Sequence, residues 1–511
     1  VDQILYQELK ADIRLFEEKL RAFEAGEIDK KTYKGFSGGF GSYAQRNGGN
    51  MLRLRMAGGA MDKEKLAFLA DCVDRWSVRR LKLTTCQTVQ LHDLSADATV
   101  AIMTEAMDHG IITRGGGGDF PRNVMVSPLS GVEQGEYFDV RPWADAMAEY
   151  LLGRVRELRM PRKLKVAFSN SPANATHATF RDLGFVARED GGFAVYCAGG
   201  LGPNPKLGVC VRERIEPKDV LHCADAMIRV FTAHGNYENR ARARTRYLQD
   251  TLGAEGLRQA FAEALAESKA QRDLSVFPAP QPVDKPADGA IEAGRVIPQK
   301  QPGLYAVSYH PLGGDLAPEK PAELLRVIRD LPDVSVRIGA DGTLYLINLT
   351  AREVPAVLQV TDDGANTLFE TSVCCIGASI CQQGARDSQQ LLAAMLDAAR
   401  RENFADGVLP RAHISGCPSS CGTHQVGTLG FVGGVKTIDK VPHPAFTLMV
   451  GGIDAAGGEQ FGRLAGVLLQ EDIPQFIVEL GRTVQAANST FDEWYPAHTD
   501  VFNALVQKFV R

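Results

Sequence analysis

The chain has 511 residues, 44% of them hydrophobic and 23% charged, and its 57 basic against 62 acidic side chains give a net charge of -5. At roughly 150 residues per domain this length predicts about three domains that need no disulfides, and a mean hydropathy of -0.14 excludes bulk disorder and a membrane-embedded chain. The acidic balance argues against bulk nucleic-acid binding, and neither a spanning apolar run nor a signal-peptide pattern is present; the expectation is a cytoplasmic globular protein, without nucleic-acid or membrane partners, in which any anion site is local.

Leu5, Leu9, Ile13, Phe16 and Leu20 recur at helical spacing, which predicts a helical arm ended by the glycine-rich GFSGGFGSYAQRNGGN. A strand is predicted from Asn50 in NMLRLRM, with Arg53 and Arg55 on one face because side chains alternate. Gly58-Gly59 then leads to a helix over 63–76, strands near 80–84 and 89–94, and a helix near 97–109. Four glycines at 115–118 read as a flexible connection, since no GKS/T follows them. Residues 277–303 hold six prolines and little periodicity, which is linker chemistry.

Beyond that linker the order repeats. Gly313-Gly314 leads to a helix over 321–330, strands near 334–338 and 344–349, and a helix near 351–358, at an offset of 255 residues. Pro161-Arg162, Ser171-Pro172 and Leu183-Gly184-Phe185 are matched by Pro410-Arg411, Cys417-Pro418 and Leu429-Gly430-Phe431, with eleven positions from the later proline to the leucine in both. The expected architecture is therefore an α+β, internally duplicated, pseudo-twofold protein with a cofactor crevice between its halves. Its predicted segments are an arm at 1–49, a half-domain at 50–130, a cofactor-binding α/β domain at 131–277, a linker at 278–302, a second half-domain at 303–370 and a second cofactor-binding domain at 371–511.

Five of the ten cysteines, Cys374, Cys375, Cys381, Cys417 and Cys421, fall within 48 residues. In a reducing compartment such crowding suggests a metal site. Cys375 and Cys381 form a C-x5-C and Cys417 and Cys421 a C-x3-C, and two short loops suit an iron-sulfur cluster because each can reach neighbouring irons. Zinc is the competing metal, although a five-residue spacer is long for a zinc knuckle. Asp387 reads as the N-cap of a helix whose positive end faces the anionic cluster. Cys374 is the spare thiol, with burial as its expected role.

At these loops the sequence resembles the sulfite and nitrite reductases that carry sirohaem beside a [4Fe-4S] cluster. HISGCPSSCGTHQVGTLGFVGG at 413–434 carries the resemblance, with the C-x5-C upstream and GSYAQRNGGNMLRLRMAGG, LTTCQTVQLHDL, PRNVMVSPLSG, MPRKLKVAFSNSP and RARARTRYLQDTLG spread from about residue 40 onwards. The resemblance implies ferredoxin-like half-domains and a multi-electron reductase of a small oxyanion. It implies that Cys375, Cys381, Cys417 and Cys421 hold the cluster, with Cys421 also bridging to the sirohaem iron. Arg53, Lys163 and Lys165 would meet the substrate anion, while Arg55, Gln87, Gln90, His92, Arg122, Asn123 and Arg162 would contact sirohaem.

The K-x-K of Lys163 and Lys165 resembles the sulfite-reducing members, which makes sulfite to sulfide the expected reaction and nitrite to ammonia the alternative. The main departure is Cys86, which stands where the resemblance implies a substrate-binding arginine. Losing one charged hydrogen bond of roughly 1.5–3 kcal/mol would weaken anion binding about 10- to 150-fold unless another cation moves in. A different small sulfur or nitrogen substrate, or a non-catalytic haem and iron-sulfur carrier or sensor, stays open. No dinucleotide-binding G-x-G-x-x-G unit is evident, so electrons are expected from an external donor: a ferredoxin, a flavoprotein or a reductase subunit. Arg154, Arg156 and Arg159, and Arg240, Arg242, Arg244 and Arg246, are the basic runs that could steer it, against the plainer reading that they serve carboxylates or solvent.

Overall fold

The repeat resolves in space as two pairs of matching five-stranded sheets. The computed structural model describes residues 3–279 and 282–510, so residues 1 and 2 of the expected arm, Pro280 and Gln281 of the expected linker and the last residue lie outside the described residues. The first sheet runs Ser42–Ala44, Asn50–Arg55, Thr88–Leu94, Leu81–Leu83, Asp315–Leu316 in spatial order, and its counterpart runs Val296–Pro298, Tyr305–Tyr309, Leu344–Leu349, Ser335–Ile338, Ala60–Met61.

Each sheet thus ends in a two-residue strand lent by the other half. Asp315 and Leu316 pair with Lys82 and Leu81, while Ala60 and Met61 pair with Arg337 and Val336. The 255-residue offset turns one set of pairs into the other. The Gly-Gly pairs make the exchange possible: Gly58 and Gly313 sit at φ 55° and 61°, a left-handed conformation that glycine adopts without a Cβ penalty. A Cβ on Gly59 would lie 2.5 Å from the Ile338 carbonyl oxygen. One apolar core runs through both sheets and includes Leu52, Leu69, Leu91, Val336 and Leu346.

The second pair of sheets carries the cofactor segments. Met125–Val126, Val166–Ser169 and Leu183–Ala187 are parallel and continue antiparallel into Phe193–Cys197 and Val209–Ile215. Val373–Cys374, Ala412–Ser415 and Leu429–Ile438 are likewise parallel, followed antiparallel by Val441–Val450 and Arg463–Leu469. The repeated Leu-Gly-Phe has a steric cause. A Cβ at Gly184 would stand 1.8 Å from the Ala178 carbonyl oxygen and one at Gly430 2.0 Å from that of His424, so only glycine lets the preceding loop lie flat on the strand.

Helices form close to where periodicity places them, at Gln3–Glu24, Lys30–Ser37, Lys63–Trp76, Ala96–Ala106 and Lys320–Ile328. The segment boundaries differ from expectation. Ser42–Ala44 of the arm and Val296–Pro298 of the linker are strands, and Met125–Val126, placed in the first half-domain, belongs to the following sheet. Two- and three-residue strands have no periodicity to read, which is why the boundaries fall elsewhere.

Met61 and Leu316 are buried at the exchanged strands. Met61→Ala or Leu316→Ala should each cost about 2–5 kcal/mol of unfolding free energy. Urea unfolding followed by circular dichroism checks this; a loss confined to one half, with the other half unfolding at the wild-type midpoint, would contradict the interlocked core.

Candidate functional site

A cavity of about 500 Å³ lies between the halves, within the range of cofactor sites. Among the described residues ten cationic side chains and a single carboxylate, Asp182, line it. The parallel strands of the first half meet it with their N-terminal ends, where Arg122 and Asn123 precede Met125–Val126 and Lys163 and Lys165 precede Val166–Ser169. Those of the second half meet it with their C-terminal ends, where the cysteine loops leave Val373–Cys374 and Ala412–Ser415.

Cys375, Cys381, Cys417 and Cys421 all line this cavity. Cys375 Sγ accepts from the Gly416 N–H at 3.2 Å and lies 3.1 Å from Ser388 Oγ. Ser388 opens the helix Ser388–Glu402, whose N-cap Asp387 accepts from the N–H groups of Gln389 and Gln390, so a thiolate here meets the positive end of a helix. Thr85 Oγ1 donates to the Cys421 carbonyl at 3.0 Å, tying the second cysteine loop to the turn that bears Cys86. No group of three or more His, Cys, Asp or Glu among the described residues is gathered for a single metal ion. Four thiols on two short loops that line one cavity suit a multi-iron cluster. Cys374 is buried, its thiol pushed up by desolvation.

Around the cations, protein anions are scarce. Arg53 donates to the Gly116 carbonyl at 2.6 Å, and Arg122 to those of Gly116 and Gly118 at 3.0 and 2.8 Å. Among the described residues Arg122 Nε and Arg244 Nε are buried without a hydrogen-bond partner. Lys163 is held well below its usual range by burial and by the surrounding arginines and Lys165. These unmet donors fit a polyanionic ligand: a tetrapyrrole ringed with carboxylates, and a small oxyanion beside it.

Lys165 Nζ donates to Cys86 Sγ at 3.3 Å, and its N–H donates to Asp182 Oδ2 at 2.8 Å. Burial alone would raise the Cys86 thiol, but Lys165 and Arg181 outweigh it and hold it down at about 6. Asn123 Nδ2 donates to the carbonyls of Cys86 and Gln87 at 3.0 and 3.1 Å, fixing this turn.

Several expected cofactor contacts are occupied by protein groups. Gln87 does not line the cavity: its amide donates to the carbonyls of Val126 and Ile338 and accepts from the Val126 N–H, so it pins the halves together instead. Arg55 lines the wall but donates to the carbonyls of Arg114 and Arg122. Arg162 is paired with Asp119 at 2.6 Å. Gln90 and His92 line the cavity and face one another at 3.2 Å, with burial pushing His92 down to about 3.

Sequence reasoning missed Arg181, Asp182 and Lys82, and left Arg244 between steering a donor and serving a carboxylate. Arg244 lines the cavity and bonds Asp182, while Arg246 is buried and donates to the carbonyls of Leu201 and Pro203. Arg154 and Arg156 are spent on Asp225, Glu8 and Asp12.

Such a fold, with four thiols facing a cation-lined crevice, defines an oxidoreductase with an iron-sulfur centre. Residues 43–109 match the family model for the nitrite/sulfite reductase ferredoxin-like half domain, and residues 117–269 that for the nitrite and sulphite reductase 4Fe-4S domain. Over these two segments the chain is similar to the nitrite and sulfite reductases, and the cofactors that this likeness supports are sirohaem and a [4Fe-4S] cluster. The matched 4Fe-4S model falls on the first repeat, whereas the cysteine quartet stands in the second.

The chain is 28% identical to ferredoxin–nitrite reductase of Synechococcus elongatus, over 84% of this chain and 85% of that one. It is 26% identical to sulfite reductase [ferredoxin] 1 of Mycolicibacterium paratuberculosis, over 85% and 82%. The solved structure of the Mycobacterium tuberculosis NirA protein shares the fold, with a TM-score of 0.77 at 23% identity over 93% of this chain and 92% of that one. Among the described residues no helix is long and apolar enough to cross a membrane.

Gly430→Ala should displace the loop beneath it and lower cluster iron per chain, whereas Gly434→Ala, with nothing within 4 Å of the added Cβ, should leave iron content unchanged. Iron quantification on both purified variants checks this; equal iron in the two would show that the loop yields without cost.

Proposed function

We propose that the protein reduces sulfite to sulfide in a six-electron reaction, drawing electrons from an external donor. The observation that carries this reading is the wall of ten cations around one carboxylate, which suits a polyanionic cofactor and a doubly charged oxyanion better than a single negative charge. Lys163 and Lys165 both reach that wall.

Cys375, Cys381, Cys417 and Cys421 would hold the cluster, with Cys421 shared with the sirohaem iron, and Arg53 and Arg122 would face anionic groups in the crevice. Bound there, the two cofactors supply stored electrons and an iron with an open position. The protein's own part is binding and proton supply. Arg53, Lys163 and Lys165 orient the oxyanion, and burial together with the neighbouring cations keeps Lys163 ready to give up its ammonium proton as oxygen leaves as water. Asp182 fixes the backbone of Lys165 and so the reach of its ammonium group.

Nitrite is the second reading, favoured by the names of several relatives, among them the ferredoxin–nitrite reductases of Synechococcus elongatus and Zea mays. A non-catalytic carrier has no use for a cationic pocket beside its iron.

An anaerobic assay of the fully loaded enzyme with reduced viologen should give a higher kcat/KM for sulfite than for nitrite or hydroxylamine. A preference for nitrite would establish the second reading, and no turnover of any of them would overturn both. Cys421→Ser should alter the haem and cluster spectra together; an unchanged spectrum of either centre would remove the shared-ligand assignment.

A further inference from the structure

Arg181 precedes the strand Leu183–Ala187 and is 6% exposed, yet it lines the cavity beside Cys86 and Lys165. Its Nε donates to the Thr176 carbonyl at 3.0 Å and its Nη2 reaches His177 Nδ1 at 3.5 Å. Among the described residues Nη1 has no protein acceptor. Since an arginine only donates, His177 Nδ1 must accept, which places the ring proton on Nε2. That proton points to Asp454 Oδ2 at 3.0 Å. Asp454 belongs to the second half, and Asn174 Nδ2 fastens its carbonyl at 2.7 Å. Carboxylate, imidazole and guanidinium therefore form one directed series ending at the cavity wall.

The repeat shows that the fold itself does not ask for this arginine. Two residues before the equivalent strand Leu429–Ile438 stands Gly427, whose Cβ position lies 2.5 Å from the His413 ring. A buried guanidinium at 181 is thus an addition peculiar to the half that bears the lysines. It comes within Coulombic reach of the position 86 sulfur, where the side chain itself brings no cation.

We propose that Arg181 is a further residue binding the substrate anion, supplying from the neighbouring loop the cation that position 86 lacks, and that His177 and Asp454 are its positioning residues. The inference rests on the reading of this cavity as the reductase site. Arg181 completes a set with Arg53, Lys163 and Lys165, so the anion meets cations from separate segments of the first half. The second half reaches Arg181 through Asp454 and His177.

Sulfite titrated anaerobically into oxidised, fully loaded protein, by calorimetry and by haem absorbance, tests this without turnover. Arg181→Gln should weaken sulfite binding about 10- to 150-fold with sirohaem and iron content unchanged, and Cys86→Arg in the same chain should restore affinity towards wild type. Equal affinity in Arg181→Gln, no restoration in the double variant, or loss of sirohaem from Arg181→Gln would each overturn the proposal, the last by placing Arg181 on the cofactor. If Arg181→Gln does not fold, Asp454→Asn, at a side chain 44% exposed, should weaken binding while Asp454→Glu retains it; equal affinity in both overturns the positioning role. Failure of wild type to bind either sulfite or nitrite would instead sink the reductase reading beneath it.

Discussion

Positive charge withdrawn from water is the constraint on which this structure turns. Burial of several lysines and arginines around one carboxylate is unfavourable by itself, because each charge loses hydration that its like-charged neighbours do not replace. The fold meets part of that demand with main-chain carbonyls, those of Gly116, Gly118, Arg114 and Arg122, and with Asp182. What remains unmet is the binding capacity of the crevice. A polyanion entering it satisfies donors that the polypeptide leaves open, so affinity for the cofactor and strain in the cofactor-free state have the same origin.

The duplicated fold puts unlike chemistry on the two sides of that crevice. Equivalent sheets approach it from opposite strand ends, so one half presents cations that precede strands and the other presents thiols that follow them. Neither set is required by the fold, as Cys417 stands opposite Ser171 in the repeat and Arg181 opposite Gly427. Duplication supplied the frame, and divergence of loop residues gave each half its own role.

Much of this is legible in the sequence where backbone sterics dictate a residue. The Gly-Gly and Leu-Gly-Phe repeats are visible because a Cβ would strike a carbonyl oxygen at Gly59, Gly184 and Gly430, and the cysteine spacing is visible because ligands must leave short loops. The exchanged strands were not legible: two residues carry no period, and their partners lie some 250 positions away. Arg181 and Arg244 hide for another reason. In FRDLGF and RARARTR an arginine looks the same whether it meets solvent or a buried cavity, and only packing decides. Gln87 misled in the opposite sense, since its neighbour Cys86 faces the cavity while its own amide is turned into the join between halves.

The lent strands also set an order of events during synthesis. The first sheet lacks its edge until Leu316 has been made, and the strand at Ala60–Met61 has no partner until Val336 and Arg337 follow. An edge with unpaired N–H and carbonyl groups is open to mispairing, and the pairing that closes this one comes from residues more than 230 positions further along the chain. The crevice closes later still, once the loop of Cys421 exists. A crevice lined from both halves is complete only when both have been made, and each exchanging sheet is complete only with a strand from the other half.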